Sequence, residues 1–295
     1  MSILKNYDVL LMDLWGVVYD GYHLYPKVIE TLQGLKELKK EVIFFSNVPR
    51  RKHTVQGMLN GFGVDNSLYS SLITSGEFVH ELLAEKKQFG TKYFYLGSPE
   101  SEEVILNIGG YQRVANAKDA DFSIITGIVD YYEEAMKLAI EAIKYKLPLL
   151  CTNPDKSFIK RSGEIVHCPG AVADKYEELG GEVIYFGKPH RHIYEYALQD
   201  ITDRRRVLAI GDSMENDIRG ANNMNLDSVL ICSGVHRHDL EINMGDIPSA
   251  ENLSRLYEKH SIKPTSVISL LKDIIQSLYN NKCIYKHKKP LIPVH

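Results

Sequence analysis

The apolar positions of this 295-residue chain form short unbroken runs, separated by longer stretches in which they recur at helical spacing. Val9-Leu10-Leu11-Met12 is the first such run, bounded by polar and turn-forming residues. A run of that length predicts a strand buried on both faces, as in a parallel sheet. Residues 26–40 then bring Val28, Ile29, Leu32, Leu35 and Leu38 round to one side, behind a proline suited to a first helical turn. Val42-Ile43-Phe44-Phe45 predicts a second buried strand, ending at Ser46-Asn47. Pro49 opens a helix that runs to about residue 60. Strand, helix, strand, helix in this order argues for an α/β chain with a parallel, doubly wound sheet.

The alternation continues. A helix is expected over 70–87, and strands over 93–97, 122–127 and 149–153. Ser98-Pro99-Glu100 has the form of a helix start. Over 131–146 Ala135, Leu138, Ala139, Ala142 and Ile143 make one apolar stripe, predicting another helix. Gly163 marks a turn ahead of a helix over 171–179 and a strand over 183–186. Beyond Pro189 a helix reaches about residue 198, and strands follow over 207–210 and 227–232, with a helix over 218–224 between them. A short helix over 238–243, a strand over 264–268 and a helix over 270–279 complete the expected set.

Composition narrows the function classes. With 44% hydrophobic and 25% charged residues, the chain has the make-up of a soluble globular protein, long enough for two domains. A net charge of −3 offers no surface for nucleic acid, and no G-x-G-x-x-G follows the first strand. Cys151, Cys168, Cys232 and Cys283 lack zinc-like or CxxC spacing and are expected to be buried free thiols. The first residues lack an apolar signal region, and no run approaches the 18 apolar residues of a membrane span, so a cytoplasmic protein without membrane association is expected. The 18 tyrosines are scattered, consistent with packing roles. The basic stretch 282–290 is expected to be a solvated end.

Candidate chemistry sits at the predicted strand ends. Asp13 closes the first strand, at the sheet edge where open α/β folds bind ligands, and a carboxylate there can attack an electrophile or hold a metal. Gly16 allows a tight turn or a close backbone approach. Ser46 and Asn47 follow the second strand, Lys188 stands in Gly187-Lys188-Pro189-His190, and Gly211-Asp212-Ser213-Met214-Glu215-Asn216-Asp217 follows the strand over 207–210. Each alone has an ordinary reading as a helix cap or a solvated side chain.

Together, in this order, these stretches resemble the four motifs of the haloacid dehalogenase-like (HAD) superfamily. The resemblance implies that Asp13 is a nucleophile, that Ser46, Asn47 and Lys188 bind phosphate, and that Asp212 and Asp217 form the acidic pair. It further implies a Mg²⁺ ion on Asp13, Asp212, the Trp15 backbone carbonyl and Asp217, the last also steadying Lys188. Oxygen ligands of this kind suit Mg²⁺, and a carboxylate attacking phosphorus splits a difficult hydrolysis into two easier steps through an aspartyl-phosphate. The roughly 140 residues between Asn47 and Lys188 leave room for an inserted α/β cap. Cys151-Thr152-Asn153-Pro154-Asp155, with Gly163 and Pro169-Gly170-Ala171, resembles the substrate loop of the class IIA branch, which contains NagD-type and p-nitrophenyl phosphatases. A plain turn is the alternative reading of that loop. By this resemblance residues 1–77 and 183–280 form the core, 78–182 the cap with Asn153 and Asp155 as its substrate loop, and 281–295 a basic tail. A small phosphorylated metabolite is the expected partner, and the resemblance leaves a homodimer open.

One residue departs from the pattern. Where the superfamily's phosphatases carry a second Asp as general acid/base, this chain has Trp15. Acid/base help is typically worth about 10²- to 10⁴-fold, and an indole N–H can only donate a hydrogen bond. Three readings stay open. The first is Mg²⁺-dependent phosphomonoester hydrolysis, weak or restricted to good leaving groups, with Asp20, His23, Asp155 or His190 as substitute. The second is a catalytically weak or inactive protein that binds Mg²⁺ and phosphate, with Trp15 closing over the pocket. The third is a dehalogenase-like hydrolase, since those relatives carry an aromatic at this position; they need no Mg²⁺, and the acidic pair here is phosphatase-like.

Overall fold

The computed structural model describes residues 3–128, 130–159 and 165–275. Its strands, in chain order, are β1 (Val9–Met12), β2 (Glu41–Ser46), β3 (Ser71–Thr74), β4 (Lys92–Tyr95), β5 (Gln112–Arg113), β6 (Phe122–Ile125) and β7 (Leu149–Cys151). They continue with β8 (Ser157–Ile159), β9 (Ile165–His167), β10 (Val183–Tyr185), β11 (Val207–Gly211), β12 (Asp227–Ile231) and β13 (Ser266–Ile268). The α-helices are α1 (Val28–Glu37), α2 (Lys52–Gly61), α3 (Ser75–Glu85), α4 (Tyr132–Lys144), α5 (Pro169–Glu178), α6 (Arg191–Ala197), α7 (Arg219–Asn223) and α8 (Ala250–His260).

One six-stranded sheet runs β13-β12-β11-β1-β2-β3. The pairs β1–β2, β1–β11, β11–β12 and β12–β13 are parallel. All four residues of β1 and all five of β11 are buried, which is why both read as unbroken apolar runs. Strand order reverses between β1 and β11, the position at which open α/β sheets bind ligands. A second sheet runs β10-β7-β6-β4-β5, also parallel in its described pairs, beside an antiparallel hairpin of β8 and β9. This is the expected α/β core with an inserted α/β cap.

The chain divides into two compact units, Met1–Phe45, Leu59–Leu72 and Asp200–His295 in the first, and Ser46–Met58 and Ile73–Gln199 in the second. The expected cap limits, 78–182, fall inside the second unit. In it Ala135, Ala139 and Ala142 of α4 bury against Val172, Ala173 and Tyr176 of α5 and against Leu149 and Cys151 of β7. In the first unit Leu253, Leu256 and Tyr257 of α8 pack with Leu230, Val267, Met214 and Ile218.

Several elements differ from expectation. The helix expected over 70–87 is a strand and a helix: β3 comes first, and Thr74 ends it and caps α3 by accepting the Glu77 N–H at 3.0 Å. A four-residue strand directly joined to a helix leaves no turn signal between them. Helix α1 starts at Val28 rather than at Pro26, because Lys27 stands in the left-handed region with φ 60°. Ser98-Pro99-Glu100 opens only a 3₁₀ segment, Pro99–Val104, and α2 begins at Lys52. The stretch 238–243 forms turns, with Leu240 N–H bonded to His236 O at 2.9 Å. Helix α8 was not anticipated, because its apolar stripe is only three residues wide in a strongly charged segment. The short strands β5, β8 and β9 were missed as well. Cys151, Cys168 and Cys232 are buried free thiols, as expected. The Gly163 turn, the 276–279 part of the last helix, Cys283 and the basic tail lie outside the described residues. No helix among the described residues is long and apolar enough to cross a membrane.

Candidate active site

The end of β1 and the end of β11 bring three carboxylates together. Asp13 donates its backbone N–H to Ile210 O at 2.9 Å, which carries the β1–β11 ladder one step past the strand and sets Asp13 alongside the loop that holds Asp212. The chain then turns on Leu14, whose carbonyl accepts N–H groups from Val17, Val18 and Tyr19. Asp217 stands on a five-residue π-helical turn, Met214–Ile218, whose first turn is capped by Ser213 Oγ accepting the Asn216 N–H at 3.2 Å. One oxygen each from Asp13, Asp212 and Asp217 lies within 4.8 Å of the other two, and all three residues are buried.

Backbone groups aim these side chains. Val235 N–H donates to Asp212 Oδ2 at 2.7 Å and Ser213 N–H to Asp217 Oδ2 at 3.0 Å. Gly16, at φ +81°, lies so close to Asp212 that a Cβ there would stand 1.9 Å from Oδ2. A buried group of carboxylates is costly unless cations or donors offset it. Its field reaches its neighbours: burial, then Asp212 and Asp20, pushes the Tyr25 phenol up to about 12, and burial, then Asp13, raises that of Tyr19. Val235 and His236 were not singled out from the sequence. The available signal was Ser233-Gly234 one residue beyond β12, a glycine near a strand end at the same sheet edge.

Within the second unit a different group forms around Asn47. Its Nδ2 donates to Asp155 Oδ1 and to Lys188 O, both at 2.9 Å, while its Oδ1 accepts the Lys188 N–H at 2.6 Å. Asn153 Oδ1 accepts the Asp155 N–H at 2.9 Å, so Asn153-Pro154-Asp155 is an Asx turn, as its composition suggests, and is also tied to Asn47. Ser75 Oγ donates to Asn47 O at 2.7 Å. Ser46, Asn47, Asn153 and Lys188 are buried. Ser46, Asn47, Lys188, Asn153 and Asp155 thus gather in this unit, and Asp13, Asp212 and Asp217 in the other.

Trp15 is 37% exposed and folds back along its own loop. Its ring meets Tyr19 edge to face at 5.6 Å, and the benzo rim lies against Gly21, where a Cβ would come within 2.3 Å of Cη2. Of the substitute acid/base candidates, Asp20 Oδ1 already accepts the Tyr22 and His23 N–H groups, at 2.9 and 2.8 Å. Asp155 is bonded to Asn47. His190 stacks on Tyr185 with ring centres 4.8 Å apart, and burial lowers its pKa.

Comparison with known proteins agrees with this geometry. The family described as haloacid dehalogenase-like hydrolase matches residues 10–110, and a second, HAD-hydrolase-like, matches 185–272. A 4-nitrophenylphosphatase of Schizosaccharomyces pombe is 26% identical over 293 residues, covering 87% of this chain and 95% of its own. A haloacid dehalogenase-like hydrolase from Brucella suis superimposes with a TM-score of 0.75 at 27% identity, over 91% of this chain and 97% of that one. A Mycobacterium tuberculosis glycerol phosphate phosphatase, solved in complex with magnesium, shares the fold at TM-score 0.71 and 21% identity, over 93% of this chain and 78% of that one. The first match takes in Asp13, Ser46 and Asn47 and the second Lys188, Asp212 and Asp217, and the chain belongs to the haloacid dehalogenase-like hydrolase superfamily.

Proposed function

We propose that the chain hydrolyses a small phosphomonoester with Mg²⁺, through an aspartyl-phosphate on Asp13. The observation that carries this reading is the buried triad of Asp13, Asp212 and Asp217, with oxygens within 4.8 Å, at the reversal between β1 and β11. The donor set fits the ion: it offers hard carboxylate oxygens and no nitrogen or sulfur, as Mg²⁺ prefers. The M. tuberculosis relative, solved with magnesium and also with calcium, supports a hard divalent cation. Asp13, Asp212, Asp217 and the Trp15 carbonyl would hold the ion, which when bound offsets phosphate charge and orients the group for in-line displacement.

The chain's own residues then divide the work. An Asp13 oxygen forms a bond to phosphorus as the ester P–O bond breaks, and the leaving oxygen takes the electron pair and departs as an oxyanion that solvent then protonates. Water next attacks the phosphorus, inorganic phosphate departs and the Asp13 carboxylate returns. Ser46, Asn47 and Lys188 are assigned to the phosphate oxygens, where fixed donors and an ammonium oppose the charge that develops. Residues 78–182 are assigned as cap, with Asn153 and Asp155 as its substrate loop. Because Trp15 cannot protonate the leaving group, the preferred substrates are those whose leaving group departs unprotonated, such as aryl or acyl phosphates.

The test is phosphate release from a panel of phosphorylated metabolites and 4-nitrophenyl phosphate, with Mg²⁺, beside Asp13→Asn. Release should be Mg²⁺-dependent and fall by at least about 10³-fold in the variant, as for loss of a covalent nucleophile. Undiminished release in Asp13→Asn overturns the assignment. The indole of Trp15 in place of a carboxylate favours one second reading, a binding protein without turnover. Trp15→Asp separates the two: for an enzyme it should speed alkyl phosphates by about 10²-fold or more, and 4-nitrophenyl phosphate much less. Saturable Mg²⁺ and phosphate binding with no release from any substrate would favour the binding protein.

A further inference from the structure

Beside the carboxylate triad, in the same unit, lies a second cluster that the reaction as described does not use. His236, Asp239 and His260 each bring one ligand-type atom within 4.8 Å of the others, and both imidazoles are buried. The spacing suggests a metal site, but the hydrogen bonds argue against one. His236 Nε2 receives the Met214 N–H at 3.0 Å, so that nitrogen is the unprotonated one, and the proton resides on Nδ1. Nδ1 in turn faces Asp239 Oδ2 at 3.1 Å, and the Lys259 ammonium holds the same oxygen at 3.1 Å. A metal on Nδ1 would move the ring proton to Nε2, against the Met214 N–H. It would also have to displace a lysine from its carboxylate ligand.

The same bonds read naturally as a support. Lys259 fixes Asp239, Asp239 fixes the tautomer of His236, and His236 holds a backbone N–H of the π-helical turn. That N–H belongs to Met214, two residues after Asp212 and three before Asp217. The residue before His236, Val235, donates directly to Asp212 Oδ2 at 2.7 Å. A Cβ on the preceding Gly234 would lie 2.2 Å from that oxygen, so the 234–236 segment approaches the carboxylate as closely as a backbone can. The edge of His260 packs on the His236 ring with centres 5.1 Å apart, which resists rotation of the ring. Burial lowers the pKa of His236, which favours the neutral ring that this contact requires.

We propose that His236 is a positioning residue for the Mg²⁺ site: by accepting the Met214 N–H it fixes the turn that sets Asp217 relative to Asp212, while Val235 aims Asp212 from the same segment. This rests on the Mg²⁺ reading above. Groups that orient metal ligands typically contribute 10- to 100-fold in metal affinity. The effect runs through the ligands, so His236 need touch neither metal nor substrate.

The experiment measures Mg²⁺ affinity by calorimetry and amide exchange at Met214 in the metal-free protein, for wild type, His236→Ala, His236→Gln and Asp239→Asn. His236→Ala should raise the Mg²⁺ Kd by about 10-fold or more, and His236→Gln, whose side-chain carbonyl can take the same N–H, should return most of that loss. Met214 exchange should accelerate by at least about 10-fold in His236→Ala while the β11 amides stay protected. Asp239→Asn, a change at a half-exposed side chain, carries the test if His236→Ala does not fold: it removes the carboxylate that selects the tautomer and should weaken Mg²⁺ in the same direction. Wild-type Kd and wild-type Met214 protection in the folded variants overturn the proposal. So does a Zn²⁺ site that both His236 and His260 are needed to form, since that requires the other role for Nδ1. If the wild type itself binds no Mg²⁺, the metal reading fails, and the Met214 exchange still decides whether His236 holds the turn.

Discussion

Asp212 in the first unit and Lys188 in the second are both candidate functional residues, yet they are held by opposite means. Around Asp212 the support is backbone: the Val235 N–H, and a glycine at 16 that lets the chain pass within van der Waals reach of the carboxylate. The backbone of Lys188 is gripped by one side chain, Asn47, which binds both its N–H and its carbonyl across 141 residues and Asp155 across 108. The first arrangement has almost no side-chain freedom to lose and fails through steric conflict. The second concentrates three hydrogen bonds on one amide and fails when that amide is removed.

The comparison is broken most severely at Gly16. In Gly16→Ala the new methyl would overlap Asp212, and its backbone stays at a positive φ that alanine adopts only with strain. Mg²⁺ affinity should fall by about 100-fold, the upper end for disturbing a ligand's support, and stability should fall by about 1–3 kcal/mol. Calorimetry and thermal unfolding check both. Unchanged affinity would mean that the carboxylate can move aside freely, and the backbone cradle is not what places it.

Asn47→Ala is the parallel test in the second unit. It strips the buried Lys188 N–H of its acceptor and Asp155 of one donor, at a cost of about 1–3 kcal/mol. Asn47→Asp should be no milder, because its second oxygen would face Asp155 Oδ1 and Lys188 O. Adding Asp155→Asn to Asn47→Asp returns a donor to that pair and should recover part of the loss, a coupling readable as non-additivity in unfolding free energies. Strictly additive effects would show that Asn47 does not connect the two segments.

These two regions also differ in how far they could be read in advance. Asp212 and Asp217 were named through the resemblance of their stretch to the superfamily's fourth motif, whereas Asp13 was legible because it closes a buried apolar run, and a strand end in a parallel sheet marks the ligand edge. The expected α/β core and inserted cap are seen for the same reason, since β1, β2, β6, β7 and β11 are buried on both faces and leave plain apolar runs. Asn47, Lys188 and Asp155 could be named individually, but their mutual bonds could not, because a hydrogen bond spanning more than a hundred residues leaves no local periodicity. His236 was missed for a related reason: its segment forms turns, where a helix had been expected to begin at 238. Helix α8, which supplies Lys259 and His260, was missed because so few of its positions are apolar.

The smallest expected effect concerns acid. His190 in the second unit and His236 and His260 in the first all have pKa values lowered from 6.5, with burial the leading cause in each. A histidine whose folded pKa lies below its unfolded value binds its proton more readily when the chain is unfolded. Stability from these groups is therefore fully present above about pH 6.5 and is lost as pH falls from there through the folded values. Thermal midpoints should hold between pH 8 and 7 and drop progressively below about 6.5. His236→Gln, which keeps an acceptor for Met214 but cannot titrate, should flatten part of that drop, and His190→Gln should flatten a separate part. If Met214 protection, taken relative to intrinsic amide exchange at each pH, falls on acidification in the wild type but not in His236→Gln, the protonation of His236 has released the turn. If it falls equally in both, the acid loss arises elsewhere, and the backbone-held half of the comparison does not depend on a neutral imidazole.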